Sequence, residues 1–240
     1  MSRIRNNLIV EYNDAGYLIY SESFPGAYTR GKEHKEAQSK FTDEIKRYCK
    51  WAEIDLLETD TIESSIVQSK KSELKIDEAD SDIIFFSEKL PLTMEEYEII
   101  KSRVLKSAND FQVLYDSIPD KNYTSLKKRE SFYGAIPRTS NEMYVHTNNV
   151  TNYYVGEIDV KIDNLSNIYQ NRVQAISAIE SKKDFLLNKT YKGSYGEEWS
   201  LRKVLRRFIW HDHIHAKAMY RMAAKKWEAD TIQNPFYFWC

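Results

Sequence analysis

The hydrophobic pattern of this chain changes period once, near residue 88. That change confines it to a strand-bearing first half and a helical second half. A period of two puts alternate side chains on one face of a strand; a period of 3.6 puts every third or fourth on one face of a helix. Leu8-Ile9-Val10-Glu11-Tyr12 and Tyr17-Leu18-Ile19-Tyr20 are strand-like runs separated by Asn13-Asp14-Ala15-Gly16. Asn, Asp and Gly tolerate the dihedrals of a tight turn, so the spacing predicts a β-hairpin. Pro25-Gly26 marks a second turn, followed by Ala27-Tyr28-Thr29 as a third short strand. From Lys35 the period is helical, with Ala37, Phe41, Ile45 and Tyr48 on one face. Residues 64–69 and 83–86 read as further strand pieces around the acidic stretch 77–82. The first half, residues 1–88, is therefore expected to be an α+β accessory domain of order β-β-β-α-β.

Four helical stretches follow. Thr93 with Glu96 and Thr139 with Glu142 are capping boxes, in which the hydroxyl accepts from an orphan amide and the Glu reaches back. Behind the first, Tyr97, Ile100, Val104, Leu105, Ala108, Phe111 and Leu114 keep helical spacing up to Pro119. Behind the second come Met143, His146, Val150, Tyr153 and Tyr154, ending near Gly156. Asp163 is placed as the cap of a third helix carrying Leu165, Ile168, Val173, Ile176 and Ile179. Ser200 is placed as the cap of a fourth, running to about Lys226. Four such helices fit an all-α up-and-down four-helix bundle over residues 89–240.

Charge divides at the same place. Residues 1–88 carry 12 Lys+Arg against 18 Asp+Glu, net −6; residues 89–240 carry 23 against 18, net +5; together they make the −1 of the whole chain. A balance this close to zero argues against a general nucleic-acid binder. No apolar run is long enough for a membrane span. Residues 1–20 hold no apolar signal core, so the expected address is the cytoplasm. Two cysteines, Cys49 and Cys240, exclude a disulfide framework or a Cys-rich zinc module.

Three of the five histidines fall within five residues. On the fourth helix Val204, Phe208, His211, His215, Met219 and Met222 draw one stripe, and His211 and His215 stand one turn apart. At that separation two imidazoles can share a metal ion. His213, two residues from each, is expected to point away, outside the bundle. His146 sits in the core stripe of the second helix, where a bundle can bring it opposite the pair. Core histidines bonded to backbone carbonyls are the competing reading of the same positions.

The stretch from Trp199-Ser200-Leu201-Arg202 to Trp210-His211-Asp212-His213-Ile214-His215 resembles the last helix of the DinB-like four-helix-bundle family. That family's pattern is a Trp-Ser/Thr-x-Arg start and a later Trp-His-x-x-x-His turn. Residues 139–146, ending in His146, are similar to its second helix. The resemblance covers about residues 89–240 and implies that His146, His211 and His215 bind a divalent metal such as Zn, Ni or Fe. The family includes bacillithiol-type and mycothiol-type thiol S-transferases, which implies a small-molecule thiol and an electrophile as partners, and homodimers formed through the helices. In the first half, Phe24-Pro25-Gly26-Ala27-Tyr28-Thr29-Arg30-Gly31 followed by Glu36-Ala37 resembles the HicB-like antitoxin fold over about 40 residues. The acidic charge and the following bundle make an accessory or dimerisation module the expectation there.

These readings predict a metal-dependent thiol S-transferase. The alternatives are a metal-dependent hydrolase and a non-catalytic, stress-linked or toxin-antitoxin-type binding protein. Arg202 and Arg206, one turn apart, are candidates for holding the anionic group of a cofactor; salt bridging is the competing role. Tyr153 and Tyr154 are candidates for a pocket wall or for aromatic core packing. Asp212 adjoins a ligand in sequence but is expected to face away. Cys49 is expected to be partly buried, and Cys240 is too terminal to serve as a nucleophile.

Overall fold

The computed structural model describes residues 3–57, 60–78, 80–131, 134–228 and 230–239. The expected hairpin is β1 (Arg3–Asn13) and β2 (Gly16–Ser21), antiparallel, with Ile9 opposite Tyr20. Asn13 closes its turn by accepting the Ala15 amide on Oδ1. β3 (Tyr28–Gly31) pairs with β2. The chain then crosses over through α1 (His34–Ser39) and α2 (Phe41–Trp51), and β4 (Thr61–Lys71) returns parallel to β1. The sheet order is β3-β2-β1-β4. One helix was expected after β3; two form, divided at Lys40, and Ala37, Phe41, Ile45 and Tyr48 are all buried. The anticipated apolar face is thus continuous across the break.

Residues 83–86 correct an expectation. They are apolar, yet they form no strand. Ile83 and Phe85 instead press onto Ile9, Leu18, Tyr20 and Trp210. Gln68 holds the segment from its side chain, donating to the Ile84 carbonyl and accepting from the Phe86 amide. Ile83, Ile84 and Phe85 are buried without a backbone ladder, and Phe86 is exposed.

The second half contains α3 (Met94–Ser117), α4 (Ser140–Gly156), α5 (Ile168–Glu180) and α6 (Leu201–Ala223). Both capping boxes form, and Ser200 caps α6 by accepting the Lys203 amide. The cap of α5 is Asn167 instead of Asp163. Residues 163–166 precede the helix, and Leu165 is exposed. Replacing Thr139, the cap of the helix that carries His146, with alanine is expected to lower stability by about 1 kcal/mol. Urea unfolding of the two proteins measures it; an unchanged midpoint would refute the role of the cap.

Helix order departs from a simple up-and-down bundle. α3 packs mainly on α5 and α6, and α4 packs on the same two, so α3 and α4 lie across a diagonal. Successive helices become neighbours when short loops join them. Residues 118–139 form a long connection between α3 and α4, with the two-residue strands β5 (Glu130–Ser131) and β6 (Gly134–Ala135) in it. That length permits the crossing.

α6 is the shared element. One side meets the sheet through Trp210, and the other packs in the bundle through Val204, Phe208 and Met219. Gly26, at φ +96°, lies under α6, where a Cβ would collide with the Ile209 side chain. Leu8, Phe41 and Ile45 belong to the same hydrophobic cluster as Phe111, Ile176 and Phe208. No described helix is long and apolar enough to cross a membrane.

Candidate metal centre

His146 comes from α4, and His211 and His215 come from successive turns of α6. The structure brings all three together. Their candidate ligand nitrogens lie within 4.8 Å of one another. The Nε2 atoms of His146 and His211 are 3.2 Å apart. Ring centroids are separated by 5.0 Å for His146–His211, 4.8 Å for His146–His215 and 4.5 Å for His211–His215. With metal–nitrogen bonds of about 2.0–2.1 Å, two ligands of a tetrahedral ion stand about 3.3 Å apart. The His146–His211 pair already has that spacing. The trio could hold a metal ion.

Their surroundings favour the neutral form of the rings. Burial pushes all three imidazoles below the usual histidine value; His211 falls well below it and His215 to about 3. The neighbouring rings add to the effect at His211, and His146 adds to it at His215. Neutral imidazole is the form that donates a lone pair to a metal. His211 is buried, while His146 and His215 are half-buried, so the trio is partly open to solvent. Tyr154, on α4, sets its ring 5.9 Å from His211 and packs on Trp199 and Phe208.

Asp212 and His213 correct the expectations made for them. Expected to face away, Asp212 is fully buried and pairs with Arg172 of α5 at 3.1 Å, across the bundle diagonal. Arg172 lies over the Phe208 ring, 3.6 Å from its centroid. Burial raises the Asp212 carboxyl to about 6 despite that partner. His213 is fully buried, 4.6 Å from Trp51 and 4.9 Å from Phe236 between ring centroids. A helix was expected to have one buried face; α6 has two, because the sheet, α2 and the C-terminal segment cover the side that the bundle leaves open.

Arg206 and Arg207 answer to the first half of the chain, and Arg202 to the segment just after it. Arg206 is buried and pairs with Glu88 through Nε and Nη2. Arg207 donates to the Ser81 carbonyl, and Lys203 to the Asp82 carbonyl. Arg202 pairs with Glu96 and donates to the carbonyls of Leu90 and Pro91. Arg202 and Arg206, the candidates for an anionic cofactor, therefore stitch residues 81–96 onto α6 by salt bridging. Tyr154 is core packing, whereas Tyr153 is partly exposed. Cys49 is buried, more deeply than expected, and burial raises its thiol pKa. Cys240 lies outside the described residues.

No protein-family profile, no curated protein and no solved structure matches this chain.

Proposed function

We propose that the chain binds one divalent metal ion through His146, His211 and His215 and uses it to transfer a low-molecular-weight thiol to an electrophile. The observation that carries this reading is the 3.2 Å separation of two imidazole Nε2 atoms from different helices, with His215 beside them. The Trp-Ser-Leu-Arg lead-in and the Trp-His-x-x-x-His turn support the transferase class, by resemblance to DinB-like proteins. Imidazole ligands suit zinc, nickel and iron alike.

A metal held by three neutral ligands keeps its full charge and would supply the Lewis acidity that makes a thiol acidic near neutral pH. The chain's own residues do the rest. Burial favours the unprotonated form of the three rings, and the half-buried sides of His146 and His215 face the incoming thiol. The thiol loses its proton toward solvent, its sulfur bonds to the electrophilic carbon, and the leaving group departs with the electron pair of the bond that breaks. Metal-loaded protein incubated with a small thiol and a haloarene is expected to give a metal-dependent rate above background. Full metal occupancy without such a rate would defeat the transferase reading and leave a metal-binding protein.

Proton competition provides a separate test. Imidazoles at the ordinary pKa of 6.5 would lose about fiftyfold in apparent three-ligand affinity between pH 7.5 and 6. Here burial holds the folded-state values below 6.5, so the rings carry fewer protons in that window and metal binding displaces fewer imidazole protons. A fall in zinc affinity smaller than about fiftyfold from pH 7.5 to 6 is expected by titration calorimetry in two buffers of different ionisation heat. A steep fall would show that the rings are ordinarily solvated.

A further inference from the structure

β4 is the edge of the four-stranded sheet and is eleven residues long. Its inner side pairs with β1; among the described residues its outer backbone edge pairs with nothing. Side chains along it are mostly exposed, including Ile66 at 47% and Val67 at 45% in mid-strand. Phe86, 69% exposed, is tied beside it through Gln68. A long open edge with an apolar centre is a template for another strand.

We propose that the strand it accepts is β4 of a second copy, antiparallel, about a two-fold axis between Ile66 and Val67. Three properties of the strand select this partner and register. First, its charge is self-complementary: Glu63 stands on one side of the Ile66-Val67 centre and Lys70 on the other. Two-fold pairing about that centre sets Glu63 opposite Lys70 of the other copy, twice, and Ile66 opposite Val67. Second, the pairing with β1 shifts by one residue in this region: Leu8 faces Ile66 and Ile9 faces Gln68, so Val67 is an extra, bulged residue. An unbulged strand pairing with itself must match residues of equal parity to keep faces together. The bulge reverses parity beyond Val67, so 62 with 71, 63 with 70, 64 with 69 and 65 with 68 become same-face pairs. Third, this register uses almost the whole strand. Glu63 and Lys70 have intrachain partners in Arg3 and Asp82, but all four side chains are more than a third exposed and can share them.

Sedimentation equilibrium of the full chain at tens of micromolar is expected to show a dimer. Glu63→Lys replaces attraction by repulsion at both symmetric pairs and should weaken dimerisation about tenfold or more; Val67→Lys should abolish it. Both positions are exposed, and far-UV circular dichroism is the check that the variants fold. In a Cys240→Ser background, Ser64→Cys/Ser69→Cys should form an intermolecular disulfide dimer on oxidation, whereas Ser64→Cys/Lys71→Cys should not. A monomer at all concentrations, a dimer indifferent to both lysine variants, or equal cross-linking by the two cysteine pairs would each overturn the proposal. The outcome is independent of metal binding.

Discussion

Replacing His211 with alanine is expected to eliminate stoichiometric metal from the purified protein, while His213→Ala leaves it intact. His211 is the ring that links the other two: its Nε2 meets that of His146, and it stands one turn before His215. Losing polar partners around a ligand typically costs tenfold to a hundredfold in affinity, so losing a ligand itself should cost about a hundredfold or more. Metal analysis after dialysis against a weak chelator, with zinc titration of each variant, reads the effect. The comparison is discriminating because both histidines are buried on the same helix, two residues apart. If His213→Ala removes metal equally, the loss reports damage to α6 instead of a missing ligand. Wild-type protein that takes up no stoichiometric metal would end the metal-centre reading.

The second large effect concerns Arg172 and Asp212. Both side chains are almost fully removed from solvent, and the pair joins α5 to α6 in the middle of the bundle. Removing one partner leaves a buried charge alone, at a cost of about 3–5 kcal/mol; replacing both by apolar residues of similar volume is far milder. Asp212→Leu is therefore expected to lower unfolding stability by that amount, and Arg172→Met/Asp212→Leu to recover most of it. Urea unfolding monitored by tryptophan fluorescence measures both. A double variant as unstable as the single one would show that the charges contribute specific attraction well beyond mutual compensation.

Parts of this architecture were legible because they rest on local chemistry. The hairpin follows from Asn13 to Gly16 between two alternating runs. The capping boxes at Thr93 and Thr139 formed as their spacing required, since both hydrogen bonds lie within four residues. The histidine stripe was visible because Val204, Phe208, His211 and His215 repeat at helical steps. Where the reading departed, the deciding partner was remote in sequence. Residues 83–86 have a strand's composition, but Ile9, Tyr20 and Trp210 bury Ile83 and Phe85 of an irregular segment. The role of Arg206 depended on Glu88, far earlier in the chain. The partners of His213 could not be read locally, because Trp51 and Phe236 arrive from α2 and from the C-terminal segment. A hint existed in the sequence: Trp210, Ile209 and Leu205 place apolar residues outside the histidine stripe, which marks a helix buried on more than one side.

Local chemistry was enough to specify most element types, the change from strand to helix, the main caps and which histidines share a helical face. Each of these depends on the dihedral preferences and periodicity of a few neighbouring residues. Long-range packing set the rest: α6 enclosed by both halves, α3 and α4 on a diagonal, and His146 meeting His211 at 3.2 Å. Those outcomes depend on how long connections close and which surfaces bury each other, and no local period encodes the distance between two separate helices.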